Sequence, residues 1–212
     1  MSPSQQDAIP ESVGATRPVT AMWMVSALCA AVVVAGLVLA TLGPGERGTH
    51  VALQLTARLS FLLFWLAYTG SALATLVGQA FKPLKHRARE FGLAFASAHL
   101  VHLALVVWLL YIGAAPPLRS FVFFGIAALW TYLLAFLSIA SLQQAFGSVG
   151  WWLVRAVGLN YIAYAFAVDF LRNTQLTGIK YLMGYLPFTV LSFAGPILRL
   201  VALTHRKWKI AQ

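Results

Sequence analysis

Two histidines, His99 and His102, lie near the middle of an apolar stretch between Arg87 and Tyr111. About 20 apolar residues suffice for a helix to cross a bilayer, so the stretch predicts a membrane-spanning helix. An ionisable side chain at membrane depth is costly and by default indicates a functional site. A neutral imidazole can ligate haem iron or another metal, or it can form a hydrogen bond between helices. The histidine pair is therefore the first candidate site in the chain.

The spacing of the two histidines limits what they can ligate. On a helix, positions three apart lie about 60° apart on one face and roughly one turn apart in height. Axial ligands approach a haem iron from opposite sides, so a six-coordinate haem requires a ligand from another helix. No other predicted span contains a histidine, and the remaining three fall in loops or tails: His50, His86 and His205. From the residues alone, a haem ligand, a structural role and a substrate-lining role all remain open for the pair.

The composition is that of a membrane protein. Of the 212 residues, 60% are hydrophobic and 9% are charged, and the mean hydropathy is +0.80. A soluble domain of this length requires far more polar surface, so we expect an all-α integral membrane protein. The net charge of +10 comes from short basic clusters between apolar runs, a pattern typical of membrane topology and not of a nucleic-acid surface. The single cysteine, Cys29, lies in an apolar run and belongs to no CxxC motif.

Six apolar runs of roughly 20 residues predict a bundle of six transmembrane helices over residues 21–204. They are expected at about residues 21–42, 56–78, 87–111, 118–142, 151–170 and 180–203. The last run contains Pro187 and Pro196, where we expect kinks without a break. The polar residues 1–20 predict a disordered cytoplasmic tail, and residues 205–212 form a basic cytoplasmic tail.

Lysines and arginines concentrate on one side of the predicted bundle. They fall in the loop between the second and third spans and in the C-terminal tail: Lys82, Lys85, Arg87, Arg89, Arg206, Lys207 and Lys209. The lysines and arginines of the opposite side are spread thinly over three loops: Arg47, Arg58, Arg119, Arg172 and Lys180. Because positively charged loops tend to stay in the cytoplasm, both termini are predicted to be cytoplasmic. We expect a multi-pass protein of a bacterial inner membrane, in contact with the lipid bilayer.

The fifth predicted span carries further polar side chains. Arg155 and Asp169 are about 21 Å apart along a helix, so they cannot pair with each other. We expect both to be interfacial, with Arg155 extending to the membrane surface and Asp169 pairing with Arg172. Three other polar groups of this span are better placed to hold a neighbouring helix or a ligand: Asn160, Tyr161 and Tyr164.

Three segments share the order and spacing of their polar and glycine residues with a known family. They are TARLSFLLFWLAYTGSAL, which contains Gly70, then REFGLAFASAHLVHL, with Gly92 ten residues before His102, and LAFLSIASLQQAFGSVGWW. Through them the chain resembles the ferric-reductase-like transmembrane domain family, including bacterial haem-binding membrane subunits, over about residues 50–203. The resemblance implies a haem b electron-transfer subunit with His102 as an axial ligand of the iron and His99 as an added imidazole one turn away. It also implies electrons from quinone or a separate reductase, and a periplasmic or membrane redox partner.

The fifth span departs from the family. There the family has two histidines about 13 residues apart that complete the haem ligation, whereas this chain has Val154 or Arg155 at the first place and residues 167–169 at the second. Three functions therefore stay open. The chain is a haem-binding redox subunit, a haem-less scaffold or assembly partner of the same fold, or a small transporter with a proline-broken sixth helix.

Overall fold

The described residues form seven α-helices and one 3₁₀ turn, Gln79–Phe81, without any strand. The computed structural model describes residues 12–139, 142, 146–174 and 179–210. The helices are α1 (Ser12–Leu42), α2 (Glu46–Leu76), α3 (Lys82–His86), α4 (Ala88–Tyr111), α5 (Leu118–Ile139), α6 (Gly147–Thr174) and α7 (Ile179–Ile210). All except the five-residue α3 are long and apolar enough to cross a membrane. The predicted all-α bundle of six membrane-spanning helices is thereby confirmed.

The second membrane-spanning helix begins earlier than hydropathy predicts. The second was expected from residue 56, but α2 begins at Glu46, whose carboxylate in the first turn is favoured by the helix dipole. The turn before it is tight, because Gly43 has a φ of +81° and a Cβ on Gly48 would collide with the Gly43 carbonyl. Arg58, expected at the beginning of this helix, consequently lies well inside it.

The predicted tails are partly helical. The first helix, α1, begins at Ser12, within the segment predicted to be disordered, and its apolar span begins at Pro18. Pro18 lies in the second turn of α1, where its ring removes one backbone hydrogen bond and favours a kink. Residues 1–11 of the predicted tail lie outside the described residues. At the other end, α7 passes through Pro187 and Pro196 without a break, as expected, and extends through most of the predicted basic tail.

The helix order around the bundle is set by α2 and α4. The latter packs most extensively against α1 and α2, while α2 also contacts α7, and α6 joins α7 to α5. The neighbouring helices α4 and α5 are in much less extensive contact. Alanines form the seam between α1 and α4, where small side chains allow two helices to approach closely: Ala27, Ala31, Ala94 and Ala98.

The centre of the bundle is filled with aromatic rings from four helices. The fully buried members include Phe61 and Phe64 of α2 and Phe170 of α6, and Phe95 of α4 is almost completely buried beside them. Large apolar side chains also cover the outer surface, as expected of helices that contact lipid: Leu37, Val107, Leu129, Phe136 and Leu200 are examples. We call one end of the bundle the basic end. There α2, α5 and α7 finish, α4 and α6 begin, and the basic segment of residues 82–89 lies.

Candidate functional site

His102 is held by α2 through a side-chain contact at its Nδ1, which lies 3.2 Å from the Oγ1 of Thr56. The Thr56 hydroxyl is also within hydrogen-bond distance of two carbonyls of its own helix, Ala52 at 2.8 Å and Leu53 at 3.2 Å. When the hydroxyl donates to one of these carbonyls, it accepts from Nδ1. This arrangement favours the tautomer that is protonated on Nδ1, which leaves the lone pair on Nε2.

His99 lies beside His102 with its ring nearly parallel, at a centroid distance of 5.1 Å and an interplanar angle of 12°. Its other neighbours are the ring of Phe95, at 5.6 Å, and the ring of Tyr132 from α5, at 6.3 Å. The Nδ1 of His99 is buried and has no hydrogen-bond partner among the described residues. Because a buried polar atom normally has a partner, this nitrogen is one of a few exceptions in the described interior.

The limited interface between α4 and α5 lies beside the histidine pair. Tyr132 donates a hydrogen bond from its hydroxyl to the carbonyl of Ala96, at 3.4 Å. Nearer the basic end, Arg89 donates from Nε to the hydroxyl of Ser138, at 3.2 Å, and from its guanidinium to the Ser138 carbonyl, at 3.1 Å. These polar contacts supplement a limited apolar interface, and the histidines lie at the point where α5 passes α4.

A row of aromatic rings connects the histidines with the basic end. From His99 the row continues to Phe95, then to Phe64 at 5.3 Å and to Tyr68 at a further 5.3 Å. Each spacing is within the range in which aromatic rings attract one another. The row fixes the orientation of His99 and fills the interior of the bundle between the two regions.

The polar residues of α6 do not reach the histidines. Tyr161 donates to the Phe123 carbonyl of α5, at 3.2 Å, and Tyr164 meets the edge of the Phe123 ring while remaining 58% exposed. Asn160 accepts a hydrogen bond from Tyr68 of α2, at 2.6 Å. Tyr161 and Asn160 thus hold neighbouring helices together, which is one of the two roles expected for them.

Arg155 and Asp169 also lie away from the histidines. The Arg155 guanidinium is 5.9 Å above the ring of Trp151. Asp169 accepts a hydrogen bond from the Asn173 amide at 3.2 Å, and within the described ranges it forms no ion pair with Arg172 closer than 4 Å. The expected pair does not form within 4 Å, because the Asn173 amide one turn away bonds to the carboxylate, and the charge of Arg172 acts on Asp169 only at longer range. In the described part of the chain, no hydrogen bond or ring contact joins α6 to either histidine.

The donor set around the histidines suits a haem better than a bare metal ion. No group of three or more His, Cys, Asp or Glu side chains able to hold a metal occurs among the residues that the structure describes. A bare ion requires several such ligands. A haem brings four porphyrin nitrogens and requires from the protein only an axial ligand. The Nε2 of His102 is chemically suited to that role, and Thr56 orients the ring through its contact with Nδ1.

Three residues of the bundle interior escaped sequence reasoning. Thr56 and Tyr132 contact the histidines from helices 46 and 33 residues away in sequence, and no motif connects them to the pair. Arg58 was expected among the basic residues of the loops on one side of the membrane. Its guanidinium instead lies inside the bundle, 4.5 Å from the ring centroid of Tyr185. Its Nε is buried without a partner in the described structure. A lone arginine nine residues before the centre of a predicted span gives no signal that distinguishes the membrane surface from the bundle interior.

Comparisons with known proteins add no identification. No protein-family model matches the chain, no curated protein is significantly similar to it, and no solved structure matches it. The fold and the site define a multi-pass α-helical membrane protein with a histidine pair inside one span. The resemblance to the ferric-reductase-like family stays a prediction.

Proposed function

We propose that this chain is a membrane-embedded electron-transfer subunit that holds haem b through His102. Electrons would arrive from quinone or a separate reductase and leave to a periplasmic or membrane redox partner. The observation that supports the proposal most strongly is the contact between Thr56 and His102, because it favours the tautomer with an unprotonated Nε2 inside a membrane span. When bound, haem supplies one-electron chemistry that no side chain in this span can perform.

The second histidine has a different role in this proposal. His99 comes from the same helical face as His102 and has a nearly parallel ring, so it cannot be the axial ligand on the opposite side of an iron held by His102. Its Nδ1, which has no partner among the described residues, would be available as a hydrogen-bonding group for the bound haem. The described residues would therefore hold a haem through one imidazole, that of His102, which differs from the two-helix ligation that the family resemblance implies.

The row of rings from His99 to Tyr68 supports electron transfer in particular. Close ring contacts fill the space between the histidines and the basic end. An electron that moves between these two regions would therefore cross a continuously packed interior. The observations give less support to a transporter, because α7 continues through Pro187 and Pro196 and is not broken at either. The transporter alternative depended on a broken sixth span, and the described α7, Ile179–Ile210, has no such break.

Visible-range absorption of the detergent-purified protein tests the proposal. The protein is expressed with a haem precursor and purified as wild type, His102→Ala and His86→Ala. We expect a Soret band and reduced b-type bands in the wild type and in His86→Ala, whose imidazole is exposed outside the spans. The bands should be lost or strongly reduced in His102→Ala.

Two results would reject the proposal. The first is a wild-type protein without haem after expression with the precursor, which would favour the haem-less scaffold. The second is a His102→Ala protein with the same bands as the wild type. Size-exclusion profiles of all three proteins show whether a lost band merely reflects a misfolded variant.

A further inference from the structure

Polar and ring contacts join α4 to α5 over only part of their length. Among the described residues, these contacts lie at His99 or nearer the basic end. The Tyr132 ring contacts the His99 ring, and its hydroxyl bonds to the Ala96 carbonyl. Closer to the basic end, Arg89 bonds to Ser138. From His99 toward the opposite end of the bundle, no hydrogen bond or ring contact is found between the described parts of α4 and α5. The two helices are therefore fastened by side chains at one end only.

The side of α5 that carries these contacts is exposed toward the opposite end. Phe121 precedes Tyr132 by eleven residues, about three helical turns, so both lie on the same side of α5. Phe124 precedes Ser138 by fourteen residues, about four turns, and shares the side of that serine. The two phenylalanines are nevertheless 44% and 36% exposed, so α4 does not cover them. Gly125 follows them, and a Cβ on it would meet nothing within 4 Å.

The side of α4 that faces α5 is exposed over the same stretch. Val107 and Leu110 follow Ala96 by eleven and fourteen residues, about three and four turns. They therefore lie on the side of α4 that bonds to Tyr132, yet their exposed fractions are 63% and 40%. Because residues 112–117 connect the two helices at this end, the two exposed sides stay close to each other. We call the space between them the lateral cleft, with walls formed by Val107, Leu110, Phe121, Phe124 and Gly125.

The histidine pair lies at the closed end of the lateral cleft. The Tyr132 ring, 6.3 Å from that of His99, ends the cleft on the α5 side. Both imidazoles are partly exposed, whereas Thr56 on their α2 side is fully buried. Because α1 and α2 pack extensively on the other sides of α4, the exposed parts of the imidazoles face the cleft. A ligand in the cleft would therefore reach His99 and His102 without passing between packed helices.

We propose that the lateral cleft is a binding site, open to the bilayer, for a porphyrin macrocycle. The inference rests on the proposed function, because this porphyrin is that of the haem whose iron His102 would ligate. The walls are apolar or aromatic and suit the apolar surface of a macrocycle, whereas the polar groups lie together at the closed end. A lipid acyl chain would fit the walls but would leave the imidazoles unused. Since the described helices leave the cleft uncovered on its outer side, haem enters it from the lipid.

Metal-free protoporphyrin IX tests the lateral cleft separately from iron ligation, because it has no iron for His102 to bind. The full-length protein is expressed without a haem precursor and reconstituted in phosphatidylcholine nanodiscs. Titration with the porphyrin is followed by its fluorescence, and the signal of empty nanodiscs is subtracted. Gly125→Phe fills the cleft, and Gly36→Phe is the matched control, since Gly36 of α1 is exposed and also has nothing within 4 Å. His102→Ala is titrated as a third variant.

We expect the dissociation constant of Gly125→Phe to be about tenfold higher than those of the wild type and Gly36→Phe, because the new ring occupies the space of the porphyrin. His102→Ala should bind the metal-free porphyrin like the wild type. Equal affinities of Gly125→Phe and Gly36→Phe would overturn the proposal. So would wild-type binding no greater than that of empty nanodiscs, which would show that acyl chains alone fill the cleft. Haem bands that persist in His102→Ala reject the proposed function alone, because the porphyrin titration does not depend on this ligand.

A variant of the opposite wall keeps the test decisive if Gly125→Phe does not fold. Leu110 lies on α4 and is exposed, so Leu110→Trp adds bulk to the lateral cleft from the other side. Thermal melting of the porphyrin-free proteins shows which variants fold. We expect Leu110→Trp to weaken porphyrin binding severalfold. An unchanged affinity in a folded Leu110→Trp protein would contradict the assignment of the cleft as the porphyrin site.

Discussion

At the scale of single residues, the candidate site depends on the partners that the histidines find on other helices. The sequence predicted that His99 and His102 share one face of one span, and the nearly parallel rings agree with that. It did not predict Thr56, because a hydroxyl 46 residues away in sequence becomes a partner only through the packing of α2 on α4. For the polar residues of α6 it left two roles open, a neighbouring helix or a ligand, and Asn160 and Tyr161 bond to other helices.

Replacement of Thr56 by valine should measure this contact. The substitution keeps the side-chain shape but removes the hydroxyl that accepts from the Nδ1 of His102. We expect a loss of about 1 kcal/mol in the free energy of unfolding, because the Leu53 carbonyl remains as an acceptor for part of the bond. Thr131→Val is the matched control, since Thr131 is buried and its one recorded bond is to the Ala127 carbonyl of its own helix. Equal losses in the two variants would show that the interhelical bond contributes nothing.

At the scale of helices, hydropathy predicts the spans well and their ends poorly. Apolar runs locate all six membrane helices because the bilayer requires about 20 apolar residues of each. The polar turns that extend α1, α2 and α7 beyond the bilayer carry no hydropathy signal, since water satisfies their side chains. Close approaches between helices are likewise invisible in the sequence, because they depend on which face each helix turns inward.

At Gly158, α6 packs closely against α5. A Cβ at this position would lie 2.8 Å from the Cε3 of Trp130 and 2.9 Å from the Cδ1 of Leu134. Gly158→Ala should therefore push α5 away and lower the free energy of unfolding by about 1–3 kcal/mol. Gly125→Ala, on α5 with open space around its Cα, should be neutral or slightly stabilising. Denaturant titration in detergent compares the two, and equal effects would show that this approach does not limit the packing.

At the scale of the whole molecule, the charge distribution predicts how the bundle lies in its membrane. The basic segment of residues 82–89 and the end of α7 share one end of the bundle, as an even number of spans requires. Basic residues and anionic lipid headgroups attract each other, which favours an orientation with the basic end at an anionic membrane face.

Labelling with a membrane-impermeant thiol reagent tests this orientation. In a Cys29→Ser background, Lys85→Cys at the basic end should stay unlabelled in intact cells and react after lysis. Ala115→Cys, exposed between α4 and α5 at the opposite end, should react in intact cells. The reverse pattern would place the basic end outside and contradict the predicted topology.

The central claim, that the His102 imidazole ligates haem iron, is tested most directly by rescue of a cavity variant. His102→Gly removes the imidazole and leaves a space in the shape of the lost side chain. We predict that the purified variant lacks the Soret band of the wild type and that added imidazole with haem restores it. A His102→Gly protein that binds haem as well without imidazole as the wild type does would contradict the account.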